Sequence, residues 1–183
     1  MNTSAKMDPS PTLAGKCLCG SVRYAVKDEF LYALNCHCSN CRRATGAAFK
    51  PFAGIERAKL SIVEGESSLL LFGGEKAHDV RCGACGSLLY SVVREGAFVH
   101  VTMGTLVDAP KIRPTAHIFV GSKAPWFTIT DELRDTKSSA DRESLVEGAH
   151  CGPTAPRRVI FPIAGGRSSS GPARPPGSIS DTR

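Results

Sequence analysis

Seven of the eight cysteines in this 183-residue chain fall into three short clusters, and their spacing restricts the fold more than any other feature of the sequence. Cys17-Leu18-Cys19-Gly20 comes first, Cys36-His37-Cys38-Ser39-Asn40-Cys41 second, and Cys82-Gly83-Ala84-Cys85-Gly86 last. A glycine after or between two close cysteines lets the backbone curl until both sulfurs converge on one metal, leaving amide N–H groups free to bond the thiolates. Cys17, Cys19, Cys82 and Cys85 together complete a tetrahedral shell. Four thiolates leave no open position on Zn²⁺, so this site is expected to be structural, tying the first strand to a distant hairpin and contributing folding free energy. Cys36, Cys38 and Cys41 supply only three ligands. A fourth position then stays available for water, a substrate thiolate or a carbonyl-derived oxygen, which is what separates catalytic from structural zinc. The sequence therefore predicts two Zn²⁺ per chain.

Other uses of the cysteines meet obstacles. Disulfides need an oxidising compartment and would leave an odd thiol among the seven. An iron–sulfur cluster on the middle group would need a fourth ligand such as Cys151, from a segment without core character. His37 as that fourth ligand, between two ligands of a CxC turn, is geometrically awkward; it is expected to face outward or to lie behind the ligands. No apolar run approaches the roughly 18 residues of a membrane span, and the opening MNTSAKMDPS has no apolar stretch of the secretory kind. The expectation is a soluble, cytoplasmic protein. The formal charge of +6 invites a nucleic-acid reading, but it counts protonated thiols. Seven thiolates and two Zn²⁺ lower it to about +3. Residues 134–183 hold eight Lys or Arg against five Asp or Glu, which accounts for that balance. These cations are scattered and few aromatics accompany them, which argues against nucleic acid as a partner.

Between about residues 16 and 130, apolar residues alternate between Gly-containing turns, the pattern of short antiparallel strands around a core. Val22, Tyr24 and Val26 share one strand face, Leu60 and Ile62 mark another strand, and Ser68 to Phe72 ends at Gly73-Gly74. Leu88 to Val93 and Ala97 to Met103 pair as a hairpin across Arg94-Glu95-Gly96, and His117 to Val120 forms a last buried strand before Trp126. One short helix is expected over Asn40 to Thr45, capped by Ser39 and closed by Gly46. Phe49 and Phe52 are expected in the core, Trp126 closes it, and His117 is a satisfied core histidine. The chain divides into a flexible N-terminus (1–12), a mainly β zinc-binding domain (13–133) and a disordered basic tail (134–183) rich in Ser, Gly and Pro.

With these motifs in view, the chain resembles the glutathione-dependent formaldehyde-activating enzyme and centromere protein V family, with its Mss4-like zinc-binding β fold. The resemblance spans roughly Gly15 to Leu133 and rests on GKCLCGSVRY, CHCSNCRRATGAAF, RCGACGSLLYS, VTMGTL and HIFVGSKAPWF. It implies carbon–sulfur lyase chemistry of the S-(hydroxymethyl)glutathione synthase kind, with a small thiol such as glutathione and a small aldehyde as partners. Cys36, Cys38 and Cys41 match the family's catalytic zinc ligands, and Cys17, Cys19, Cys82 and Cys85 its structural ones. Arg42, Arg43 and Lys123 stand beside the shared motifs as candidates for the carboxylates of glutathione. A related branch of the family acts in chromosome and cytoskeleton organisation. A non-catalytic, zinc-stabilised module binding nucleic acid, filaments or protein is therefore the alternative, and a labile zinc store is a third reading.

Overall fold

The computed structural model describes residues 10–137; residues 1–9 and 138–183, with Cys151 and most of the expected tail, lie outside the described residues. The described part is mainly β, with eleven strands in two sheets and one α-helix. The smaller sheet is antiparallel and has the order β1 (Thr12–Lys16), β2 (Arg23–Lys27), β5 (Leu60–Glu64). In β1 and β2 every second residue is buried, as expected of strands with one face on a core and the other in water. Leu13, Tyr24, Val26 and Leu60 from this sheet, with Val22 just before β2, pack on Ile55, Val80, Tyr90, Val92, Val99 and Val101 from the larger one.

The larger sheet contains β3 (Tyr32–Cys36), β4 (Lys50–Glu56), β6 (Leu69–Gly73), β7 (His78–Cys82), β8 (Leu88–Val93), β9 (Phe98–Thr102), β10 (Ala116–Ile118) and β11 (Arg134–Thr136). Its order is β11-β10-β3-β4-β9-β8-β7-β6. The run from β3 to β6 is antiparallel, whereas β10 pairs in parallel with both β3 and β11. β3 and β8 are buried at every position, so their sequences lack alternation. A second apolar cluster of Tyr32, Leu34, Phe52, Ala116 and Ile118 sits where β10 meets β3.

Three local expectations change. β11 lies past Leu133, where the sequence texture places the start of the tail; Thr136 is nevertheless buried and in register with Ile118. Trp126 does not close the core: it is 71% exposed, and neighbouring Phe127 packs inward instead. The helix α1 (Ser39–Thr45) is capped by Cys38 rather than Ser39, and closes, as expected, on left-handed Gly46. Among the described residues no helix is long and apolar enough to cross a membrane.

The topology brings the cysteine clusters to one end of the larger sheet. β3 ends at Cys36, whose cross-strand partner Lys50 begins β4. β7 likewise ends at Cys82, and the knuckle that follows leads into β8. Because β3 and β7 run the same way in the antiparallel array, both clusters leave the sheet at the same edge.

Candidate metal centres

Cys17 and Cys19 lie on the turn between β1 and β2, while Cys82 ends β7 and Cys85 lies on the turn that leads into β8. Each turn closes on a glycine with positive φ, Gly20 at 78° and Gly86 at 75°, a backbone state that a β-carbon disfavours. Gly20 N–H donates to Cys17 O (3.1 Å), and Gly86 N–H to Cys82 O (2.9 Å). The two turns are also tied together, since Leu18 N–H donates to Ser87 Oγ at 3.1 Å. All four sulfurs lie within 4.8 Å of one another. Cys17 Sγ is 3.5 Å from Cys19 Sγ, which in turn is 3.8 Å from Cys82 Sγ. A disulfide would bring two sulfurs to about 2.05 Å. A tetrahedral metal with bonds of about 2.3 Å separates its sulfurs by about 3.8 Å, so the group fits a metal ion and not a bridge.

The proton affinities of these thiols point the same way. Ser87, donating through its hydroxyl, pulls Cys85 down to about 5, and Ser21 similarly lowers Cys19. Burial pushes Cys82 up to about 11. The cluster thus mixes sulfurs that ionise readily with one that stays a thiol until a cation compensates for its desolvation.

The second group gathers where β3 runs into α1. Cys36 is buried, Cys38 and Cys41 are half-buried, and their three sulfurs lie within 4.8 Å of one another. Cys38 Sγ accepts the Cys41 backbone N–H at 3.3 Å, so one sulfur caps the helix that presents the next. The Cys38 sulfur, and then burial, push the Cys36 thiol up, the behaviour of crowded sulfurs awaiting a cation. The described residues supply no fourth cysteine, histidine or carboxylate to this group.

His37 does not face outward. Extended backbone alternates its side chains, so Cys36 and Cys38 turn to one side and His37 to the other, where it is fully buried. Its ring packs against Phe49 and Phe127. Its Nε2 lies 2.7 Å from His117 Nδ1, and His117 Nε2 lies 3.1 Å from both carboxylate oxygens of Asp131. With Asp131 accepting from His117 Nε2–H, the network assigns the intervening proton to His37 Nε2. Burial lowers the His37 pKa, in keeping with a neutral ring, and the His117 hydrogen bond lowers that of Asp131. His117 is therefore the satisfied core histidine expected. Asp131 carried no signal in the sequence, because this contact depends on the chain returning to pair β11 in parallel with β10.

The three candidate cations differ in their engagement. Arg42 Nε donates to His37 O at 3.3 Å, and Lys123 Nζ to Phe127 O at 3.1 Å. Arg43 is exposed, and its side chain makes no hydrogen bond or ion pair within the described residues. Phe52 is in the core, whereas Phe49 is half-buried over His37.

A family model described as glutathione-dependent formaldehyde-activating enzyme matches residues 12–122, a span that contains all seven clustered cysteines. Three solved chains also match. One of them is the crystal structure of a Rhodobacter sphaeroides protein, 28% identical, aligned over 54% of this chain and 92% of its own, with a TM-score of 0.45. No curated protein matches the chain.

Proposed function

The chain belongs to the glutathione-dependent formaldehyde-activating enzyme family, and on that premise we propose that it is a zinc-dependent enzyme of the carbon–sulfur lyase type. It joins or separates a small, glutathione-like thiol and a formaldehyde-like aldehyde at Cys36, Cys38 and Cys41. The observation that carries this reading is the three-sulfur group, one ligand short of a tetrahedron. Zinc held there supplies a Lewis acid that lowers the pKa of a fourth, exogenous thiol. In the joining direction the thiol sulfur adds to the aldehyde carbon, and the thiol proton ends on the new hydroxyl.

The protein's own part is placement. Buried Cys36 anchors the site at the end of β3, and the helix cap fixes Cys38 relative to Cys41. The His37–His117–Asp131 chain holds the intervening loop from behind, and Arg42 grips the same loop at the His37 carbonyl. Arg42, Arg43 and Lys123 are the candidate partners of a substrate carboxylate; Arg42 and Lys123 each commit one donor to a backbone carbonyl, and the Arg43 side chain has no protein partner within the described residues. Cys17, Cys19, Cys82 and Cys85 hold a second, structural zinc that ties the two sheets together.

Elemental analysis and proton NMR test this directly. Two zincs per chain, with S-hydroxymethylglutathione forming from glutathione and formaldehyde faster than it does spontaneously, is the expected result. Two zincs without acceleration for glutathione or other small thiols would overturn the enzyme reading and leave a zinc-stabilised binding module.

A further inference from the structure

A polar chain runs through the sheet behind the metal edge, and none of the chemistry above uses it. It starts at Lys50, only 4% exposed and paired across the strands with Cys36. Lys50 Nζ donates to Ser91 Oγ at 2.7 Å, and Ser91 Oγ donates to Asp79 Oδ1 at 2.5 Å. Asp79 Oδ2 stands 3.6 Å from Arg81 Nη2. The chain then forks. Arg81 Nη2 donates to Ala44 O at 2.7 Å, and Nη1 donates to Gly86 O at 3.1 Å.

Both acceptors have positional meaning. Ala44 lies in the last turn of α1, where carbonyls have no partner within the helix, and α1 carries Cys41 with Cys38 as its cap. Gly86 directly follows Cys85, and Arg81 itself directly precedes Cys82. One planar guanidinium therefore fastens the four-cysteine knuckle to the helix of the three-cysteine group. The opposite end of the chain stands across from the third sulfur of that group. Stability alone gives little reason for such an arrangement, since well-packed apolar residues often serve as well as a partly buried ionic network. A rigid fork that spans two carbonyls on different elements, by contrast, fixes the distance between them.

We infer that Arg81, held by Asp79, Ser91 and Lys50, is a positioning residue that couples the two cysteine centres. Closing the four-cysteine shell sets Gly86 and Arg81, and through Ala44 it sets α1 and the spread of the three open-site sulfurs. The inference rests on the reading that both groups hold metal. Its test separates the two claims.

Zinc release from the doubly loaded protein to a chromophoric chelator is followed over time, and Cys38→Ala, which lacks the three-cysteine site, assigns the phases. Arg81→Ala is expected to speed release from the three-cysteine site about tenfold, the scale seen when a group behind a metal ligand is removed. The four-cysteine phase should move less. Arg81→Lys keeps the charge but cannot grip both carbonyls, so it should behave like Arg81→Ala and serves if the alanine variant does not fold. A three-cysteine phase that is unchanged in the folded variant, or two phases that accelerate equally, overturns the coupling. Wild-type protein with fewer than two zincs removes the metal reading on which it stands.

Discussion

Cys38 holds two roles in one atom: its sulfur belongs to the open metal group and also accepts the N–H that starts α1. Substitutions can separate them. Cys38→Ser removes the soft ligand but keeps an oxygen able to cap, whereas Cys38→Ala removes both, and an unfilled cap costs about 1 kcal/mol. Both variants should lose one zinc per chain by elemental analysis, and the alanine variant should also melt at a lower temperature. Equal melting temperatures would show that the sulfur contributes nothing as a cap. The convergence of the three sulfurs was legible because CxCxxC is a strong spacing signal, but the cap was not. Sulfur is outside the usual set of capping side chains, so the preceding pattern favoured Ser39. For His37 the sequence left two places open, outward or behind the ligands, and could not choose between them, because its burial depends on Phe49, Phe127 and His117 arriving from elsewhere in the chain.

At the scale of elements, the sheets were legible where pairing is local. The β8–β9 hairpin and the β6 strand ending at Gly73 follow from apolar runs bounded by turn residues, and both are present as expected. β3 and β4 gave weaker signals, because strands covered on both faces do not alternate. The β1–β2 pair shows how closely the small sheet is fitted. Gly15 stands opposite Tyr24, and a β-carbon at Gly15 would lie 2.0 Å from Tyr24 Cζ. Tyr24 has little freedom to yield, being buried with its hydroxyl 2.7 Å from Thr105 Oγ1. Gly15→Ala should therefore destabilise the domain by about 1–3 kcal/mol, the usual cost of overpacking a filled core. Thermal unfolding of the zinc-loaded protein checks this. An unchanged melting temperature would mean that the tyrosine moves aside at no cost. The first glycine of GKCLCG, two residues before Cys17, thus serves packing.

For the molecule as a whole, the last buried strand was expected at His117 to Val120 and is present as β10, but its parallel pairing with β3 and the added strand β11 were beyond the sequence. β10 and β11 are each three residues long, and parallel partners far apart in the chain leave no hairpin signature. Yet this pairing reaches the candidate site, since β10 brings His117 behind the CxC loop and its Ile118 carbonyl accepts the His37 backbone N–H at 2.9 Å. β11 covers the outer edge of β10, leaving its few hydrogen bonds to stabilise the strand that supports the metal loop. A chain ending at Leu133 should therefore melt below one ending at Lys137, by the equivalent of about 1–3 kcal/mol for a small number of ladder hydrogen bonds. Asp131 is present in both, so the comparison isolates β11 from the histidine chain. Because β10 supports the CxC loop, the shorter chain should also release zinc from the three-cysteine site faster, with the four-cysteine site, at the far side of β4, β9 and β8, changing less. Matching melting curves and release rates would place the edge of the folded unit at Leu133, where composition alone puts it, and would leave β10 as the outermost strand that stability requires.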